Sequence, residues 1–199
     1  IKGTLDTDAG SLGDTGSIDT IDSNTEFFNI SCPDITGLLE RITTLKNEPH
    51  LKWLKTADSK SGQQGLSILN ASAGAGGVRQ IGRLLLLQSS KAFTQKLEQL
   101  INSARSGLPG NAPLNIHIFT GLGGGTGAGT FMDVCYLVQY VLKKAGLYGQ
   151  AQTCGFFFLP DVNVSKAPST EVKEYVKING FAAMKELDYA MNFATNGGE

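Results

Sequence analysis

Between Thr120 and Thr130 the chain reads Thr-Gly-Leu-Gly-Gly-Gly-Thr-Gly-Ala-Gly-Thr, and six of those residues are glycine. A glycine in an ordered element costs about 0.5–1 kcal/mol relative to alanine. Six of them cost on the order of 3–6 kcal/mol, comparable to the net stability of a small domain. A turn alone needs one or two. The run implies that this backbone must come very close to another surface. A phosphate is the natural candidate, because consecutive N–H groups without Cβ atoms can curl around an anion. Gly121, Gly123, Gly124, Gly125, Thr126, Gly127, Ala128 and Gly129 are therefore the first candidate binding residues, with the Thr126 and Thr130 hydroxyls as further donors.

Three motifs compete for such a run. A Walker phosphate loop needs Lys and then Ser or Thr after its last glycine, and no such pair follows here. A dinucleotide fingerprint accepts Gly123, Gly125 and Ala128 in its weak variant. It also expects an acid about 20 residues on, whereas the nearest strand-end acid is Asp161. A tight turn without ligand is the plain alternative.

The elements around the run supply its setting. Asn115–Thr120 is β-rich and enters the glycines directly, and 130–144 reads as a helix closed by Gly146. The first N–H groups of that helix lack internal partners, and its dipole favours negative charge there. Apolar residues from Val78 through Ile101 recur at helical spacing, which predicts a long amphipathic helix over 79–103. Residues 152–159 read as a buried strand ended by Pro160, and 171–193 as a further helix. Shorter elements are expected at 26–30 and 67–71 (strands) and at 35–45 and 51–55 (helices). Strands alternating with helices imply an α/β fold with a mostly parallel sheet flanked by helices.

Gly123-Gly-Gly-Thr-Gly-Ala-Gly129 resembles the signature loop of the tubulin and FtsZ superfamily. Companion segments are similar and in the right order. Gly74-Ala-Gly-Gly-Val-Arg-Gln-Ile-Gly-Arg83 is similar to the loop that enters a long helix near the terminal phosphate. Phe156–Asp161 resembles the strand and loop near the sugar. Asn179–Asp188 resembles the helix that carries sugar contacts. The likeness spans about residues 67–193, and residues 1–66 carry no recognisable motif.

The resemblance implies a Rossmann-like GTPase domain that binds GTP or GDP with magnesium. Residues 123–128 would then grip the α- and β-phosphates, and Gly74, Ala75, Gly76 and Gly77 would approach the γ-phosphate. Asp161 would lie near the sugar, and Glu171, Glu174 and Asn179 would be candidates for contacts to it. Arg79 has two readings, a bidentate partner for phosphate or a solvated residue of the first helical turn. By the same resemblance, head-to-tail self-association of a bacterial, cytoplasmic protein is expected, with hydrolysis completed across each contact. The family's first strand and its base-selecting helix are not recognisable, so the domain reads as partial at both ends. A group that positions the attacking water is not recognisable either.

Bulk properties limit the alternatives. The chain has 199 residues, 41% hydrophobic and 18% charged, enough for one sizeable core. A net charge of -1 gives no reason to expect nucleic acid or a membrane surface as partner. Three widely spaced cysteines suggest reduced thiols in a cytoplasmic protein. Residues 1–25 are rich in Gly, Ser, Thr and Asp and read as a flexible linker, with the partial nucleotide-binding domain over 26–199. Asp6, Asp8 and Asp14 match a calcium loop poorly. His117 reads as a packed strand residue and Trp53 as partly buried core.

Overall fold

The computed structural model describes residues 25–32, 34, 37, 38, 51, 53, 54, 75–110, 112–165, 167 and 169–193. The expected strand at 67–71, most of the helix at 35–45 and all of the linker at 1–25 except Thr25 lie outside the described residues. So does Gly74. The described elements run α1 (Arg79–Ser106), β1 (Leu114–Gly121), α2 (Gly125–Lys144), β2 (Ala151–Phe158), α3 (Asp161–Val164) and α4 (Thr170–Met191).

The fold is α/β. Strands β1 and β2 pair in parallel, from Leu114 opposite Ala151 to Gly121 opposite Phe158. Because the strands are parallel, their carboxyl ends lie together. The glycine run leaves β1 there, and Pro160 with α3 leaves β2 beside it. Ligands collect at this end of such sheets.

Helix α1 buries Ile81, Leu84, Leu85, Leu86 and Ile101. It ends before Gly107, where the Arg105 guanidinium donates to the carbonyls of Ala112 (2.9 Å) and Gly110 and ties down the loop ahead of β1. Helix α2 ends at Lys144, with Ala145 as its C-cap. Gly146 takes a left-handed φ of 69°, and the Leu147 N–H reaches back to the Leu142 carbonyl at 2.9 Å. This is the glycine-dependent helix stop in which a following apolar residue folds back. Leu147 packs on Val138, Val141 and Leu142 with the inner face of β1. The Glu98 carboxylate bonds Lys144 and holds its ammonium above the ordinary range.

Three expectations need correction. Residues 26–30 form no strand. Of residues 51–55, Leu51 lies in a 3₁₀ turn and Trp53 in a turn rather than in an α-helix; Leu51 and Leu54 join the core under α1 and Trp53 packs beside them. Strand β2 is not buried on both sides. Its inner face places Phe157 edge-on to Phe131 at 5.4 Å. Its outer face leaves Cys154, Phe156 and Phe158 exposed, and Phe119 of β1 stacks on Phe156 there at 4.7 Å. An unbroken aromatic run reads as buried because apolarity alone does not say which face is covered. His117 lies on the same open face, packed edge-on to Phe119 and Phe156 yet exposed.

Helices α1 and α2 cross at very short range, and glycines make this possible. A Cβ at Gly129 would lie 2.1 Å from the Arg79 carbonyl oxygen, and one at Gly82 would lie 2.3 Å from that of Gly125. Both obstacles are backbone and cannot swing aside. Gly129→Ala is therefore expected to destabilise the protein by about 2–3 kcal/mol, the cost of overpacking a close contact. Gly149→Ala adds a methyl to open space and should stay within about 0.5 kcal/mol. Urea unfolding of the two variants checks this, and equal midpoints would contradict the close crossing.

The three cysteines report on the open sheet face. Cys154 is exposed on it, Cys135 is half-buried on α2, and Cys32 is buried. Burial also pushes the Cys135 thiol up, away from the reactive thiolate. Native alkylation at neutral pH should label Cys154 first, with Cys135 at least about tenfold slower and Cys32 last. Peptide mass mapping over time reads the order.

Candidate functional site

Two chain segments meet at the carboxyl end of the sheet. One is the turn 75–77 that enters α1. The other is the loop 121–125 that enters α2. Helix α2 starts at Gly125 rather than near Thr130, so half of the glycine run is its first turn. Gly124 is the N-cap, with φ -89° and ψ 167°.

Four glycines of the run answer to close contacts within the protein. A Cβ at Gly125 would lie 2.5 Å from the Val78 nitrogen, and one at Gly127 would lie 2.5 Å from the Gly121 carbonyl oxygen. At Gly123 it would meet the Val176 side chain at 2.8 Å. Gly129 abuts Arg79, as described above. The close approach implied by the sequence is real, but at these four positions the surface approached is the protein itself. Gly121 meets only the Asn163 side chain, at 3.7 Å. Gly124 differs from all of them. Its φ and ψ suit any residue, and a Cβ there would meet nothing within 4 Å. On the facing turn, Gly76 and Gly77 take positive φ of 54° and 82° and are exposed. The positive φ alone accounts for glycine at both.

The two loops are fastened at two points. The Ala75 N–H donates to the Thr126 hydroxyl at 3.2 Å, with Ala75 only 2% exposed. Asn179 of α4 is 8% exposed. Its side-chain amide donates to the Gly77 carbonyl at 2.7 Å and to the Gly123 carbonyl at 3.1 Å. Asn179 was legible as a polar residue of α4, but its burial between the two loops was not. It reaches them because Gly180 lets α4 sit against Pro160, where a Cβ would be 2.5 Å from the proline ring.

The mouths of the helices are unequal. Helix α4 has a Ser169 cap that accepts from the Val172 N–H, and Glu171 in its first turn. Helices α1 and α2 have neither a side-chain cap nor an acid in the first turn. An absent cap costs about 1 kcal/mol. The short helix α3 also lacks a side-chain cap but has Asp161 in its first turn, so among the described helices the two mouths with neither cap nor acid are the two that meet. The first N–H groups of a helix have no intrahelical acceptor, and the helix dipole gives such a mouth a positive potential without any side-chain charge.

The other sequence candidates sit as follows. Ala128 is buried at 1% exposure behind the α2 turn. Thr130 does not add a free hydroxyl donor, since it bonds back to the Thr126 carbonyl at 2.9 Å. Asp161 opens α3 and is exposed. Glu171 and Glu174 are exposed on α4, and Glu171 stands about 7 Å along the axis before Val176, which touches the loop. Asn163 of α3 was missed by sequence reasoning. Its carboxamide oxygen lies beside the Gly121 and Gly123 positions. An asparagine two residues after Asp161 was the available signal. Arg79 fits neither sequence reading. Its Nε donates to the Ala128 carbonyl at 3.1 Å and its terminal nitrogen pairs with Glu186.

That pairing belongs to a groove on another side of α1 and α2. It has a volume of about 740 Å³ and runs between Trp53, Arg83, Tyr136, Lys185 and Tyr189. No residue of the loops 75–77 or 121–125 lines it. Its arginines are already engaged. Arg83 makes a bidentate pair with Asp133 at 2.7 and 3.0 Å and lies 4.7 Å over the Trp53 ring. The groove is thus a braced helix junction, separate from the loop corner.

Comparison with curated proteins and with solved structures returned no match. The family model described as tubulin-like matches residues 3–199, including residues 3–66, in which no motif is legible. The glycine loop, its companion turn and the helix that joins them therefore lie within a match over nearly the whole length, and the chain belongs to the tubulin-like family.

Proposed function

We propose that this chain is a GTP-binding domain, holding the nucleotide phosphates between the 75–77 turn and the 123–126 loop. The carrying observation is Gly124. Neither backbone conformation nor packing requires glycine there, yet it caps a helix whose mouth has no side-chain acceptor. A bare cap that is unexplained from within the protein suits a ligand that comes to it from outside. A phosphate fits, because its oxygens accept from the Gly125 and Thr126 N–H groups and gain from the dipole. The tubulin-like family supports guanine as the base and a Rossmann-like frame for the sheet.

Magnesium would travel with the phosphates. Among the described residues no group of three His, Cys, Asp or Glu could hold a metal. Magnesium commonly binds through phosphate oxygens, waters and one or two carboxylates. The chain's own contribution is to bind and orient. Amides neutralise the phosphate charge, and Thr126, whose oxygen accepts from Ala75, retains its own O–H to donate. Turnover would need a water-positioning group from outside the loops, since Asp161, Glu171 and Glu174 stand exposed on other elements. We therefore propose GTP hydrolysis in an assembled form, with copies joined head to tail into filaments. A cytoplasmic location goes with this reading. Among the described residues no helix is long and apolar enough to cross a membrane.

Calorimetric titration of the whole protein with GTP, GDP and ATP, with and without magnesium, tests the reading. GTP should bind with a dissociation constant of about 1 μM, or about -8 kcal/mol, and ATP at least about tenfold more weakly. Gly124→Ser sharpens the test. Serine is a good N-cap, so stability should change by only a few tenths of a kcal/mol. Its hydroxyl would occupy the acceptor position that a phosphate oxygen needs, so GTP affinity should fall about tenfold or more, some 1.4 kcal/mol. A folded variant that binds GTP as tightly as the wild type would overturn the proposal.

A further inference from the structure

We infer that Asn179 is a specificity-determining residue for the length of the phosphate chain. This inference rests on the nucleotide reading above. Asn179 is nearly buried, and one amide group serves both loops, donating to Gly77 at 2.7 Å and to Gly123 at 3.1 Å. It does not cap a helix or pair with a charge. It links two carbonyls that belong to the entries of two different helices.

Two consequences follow from peptide geometry. The C=O and N–H groups of a trans peptide point in opposite directions. Holding the Gly123 carbonyl toward α4 therefore aims the Gly124 N–H away from α4, into the open side of the loop. It also keeps that carbonyl from turning toward an anion, where it would repel phosphate oxygens. The second consequence concerns spacing. The mouth of α2 abuts the entry to α1, since a Cβ at Gly125 would lie 2.5 Å from Val78 N. Asn179 fixes the separation from one side, and the bond from Ala75 to Thr126 fixes it from the other. A chain of three phosphates can engage both mouths, whereas a shorter chain engages one mouth fully and the other poorly. The clamp thus converts phosphate count into affinity. Without it the 75–77 turn is free to drift, and its positive-φ glycines Gly76 and Gly77 resist little.

The test compares GTP and GDP dissociation constants by calorimetry for the whole wild-type protein, Asn179→Ala and Asn179→Leu. The wild type should prefer GTP over GDP at least fivefold. Asn179→Ala should bring the ratio close to one, mainly through weaker GTP binding, with GDP affinity changing less than about threefold. Asn179→Leu removes both amide donors at nearly constant volume and should move the ratio the same way. It decides the matter if Asn179→Ala does not fold. A merely structural role would weaken both nucleotides in proportion, and an unchanged ratio overturns the inference. So does a wild type that binds both nucleotides without preference. A wild type that binds neither GTP nor GDP sinks the nucleotide reading itself.

Discussion

The architecture depends on one close contact, the seating of the α2 first turn on the entry to α1. Backbone meets backbone there without side chains between, because Gly82, Gly125 and Gly129 remove the Cβ atoms that would hold the helices apart. Ordinary helix pairs pack 8–10 Å apart, at a distance set by the side chains between them. Here the glycines bring two helix mouths to one corner of the sheet. The candidate site lies at that corner. The parallel pairing of β1 and β2 places it at the carboxyl ends of the strands, and α4 closes it from behind with Asn179.

Much of this was legible in the sequence. Four long elements sit within a few residues of where periodicity and breakers put them, because Gly107, Gly146 and Pro160 stop helices or strands by local rules that need no tertiary information. The glycine run was legible as a place of close approach. Its cause was only partly legible, because glycine reports that something is near and not what it is. Four of the six glycines answer to the protein's own backbone or side chains. Which remained for a ligand depended on the crossing of α1 and α2, a long-range fact without a local signature. The same limit explains Arg79, whose sequence neighbours gave no sign of Glu186 more than a hundred residues on. The outer face of β2 was misjudged for a related reason, since covering a strand is a property of another segment.

The contrast between helix entries carries the most chemical information. Helix α4 is capped by Ser169 and carries Glu171 in its first turn. Helices α1 and α2 forgo both. Leaving two entries bare costs stability at each, and the tubulin-like family gives a context in which that cost has a use. The open aromatic face around Phe119 and Phe156 is a separate matter. Parallel sheets are ordinarily covered on both faces, and nothing at this face identifies what covers it.

The claim that backbone amides at the meeting of two helix mouths hold the phosphates is tested most directly by amide chemical shifts. Nitrogen–proton correlation spectra of the labelled protein, recorded as GTP is added, map the contact residue by residue. The account predicts that the largest shifts fall on Gly124, Gly125, Thr126 and Gly77, with smaller ones at the Asn179 side-chain amide. Shifts concentrated instead around Trp53, Arg83 and Tyr136, or no shifts at saturating GTP, would contradict it.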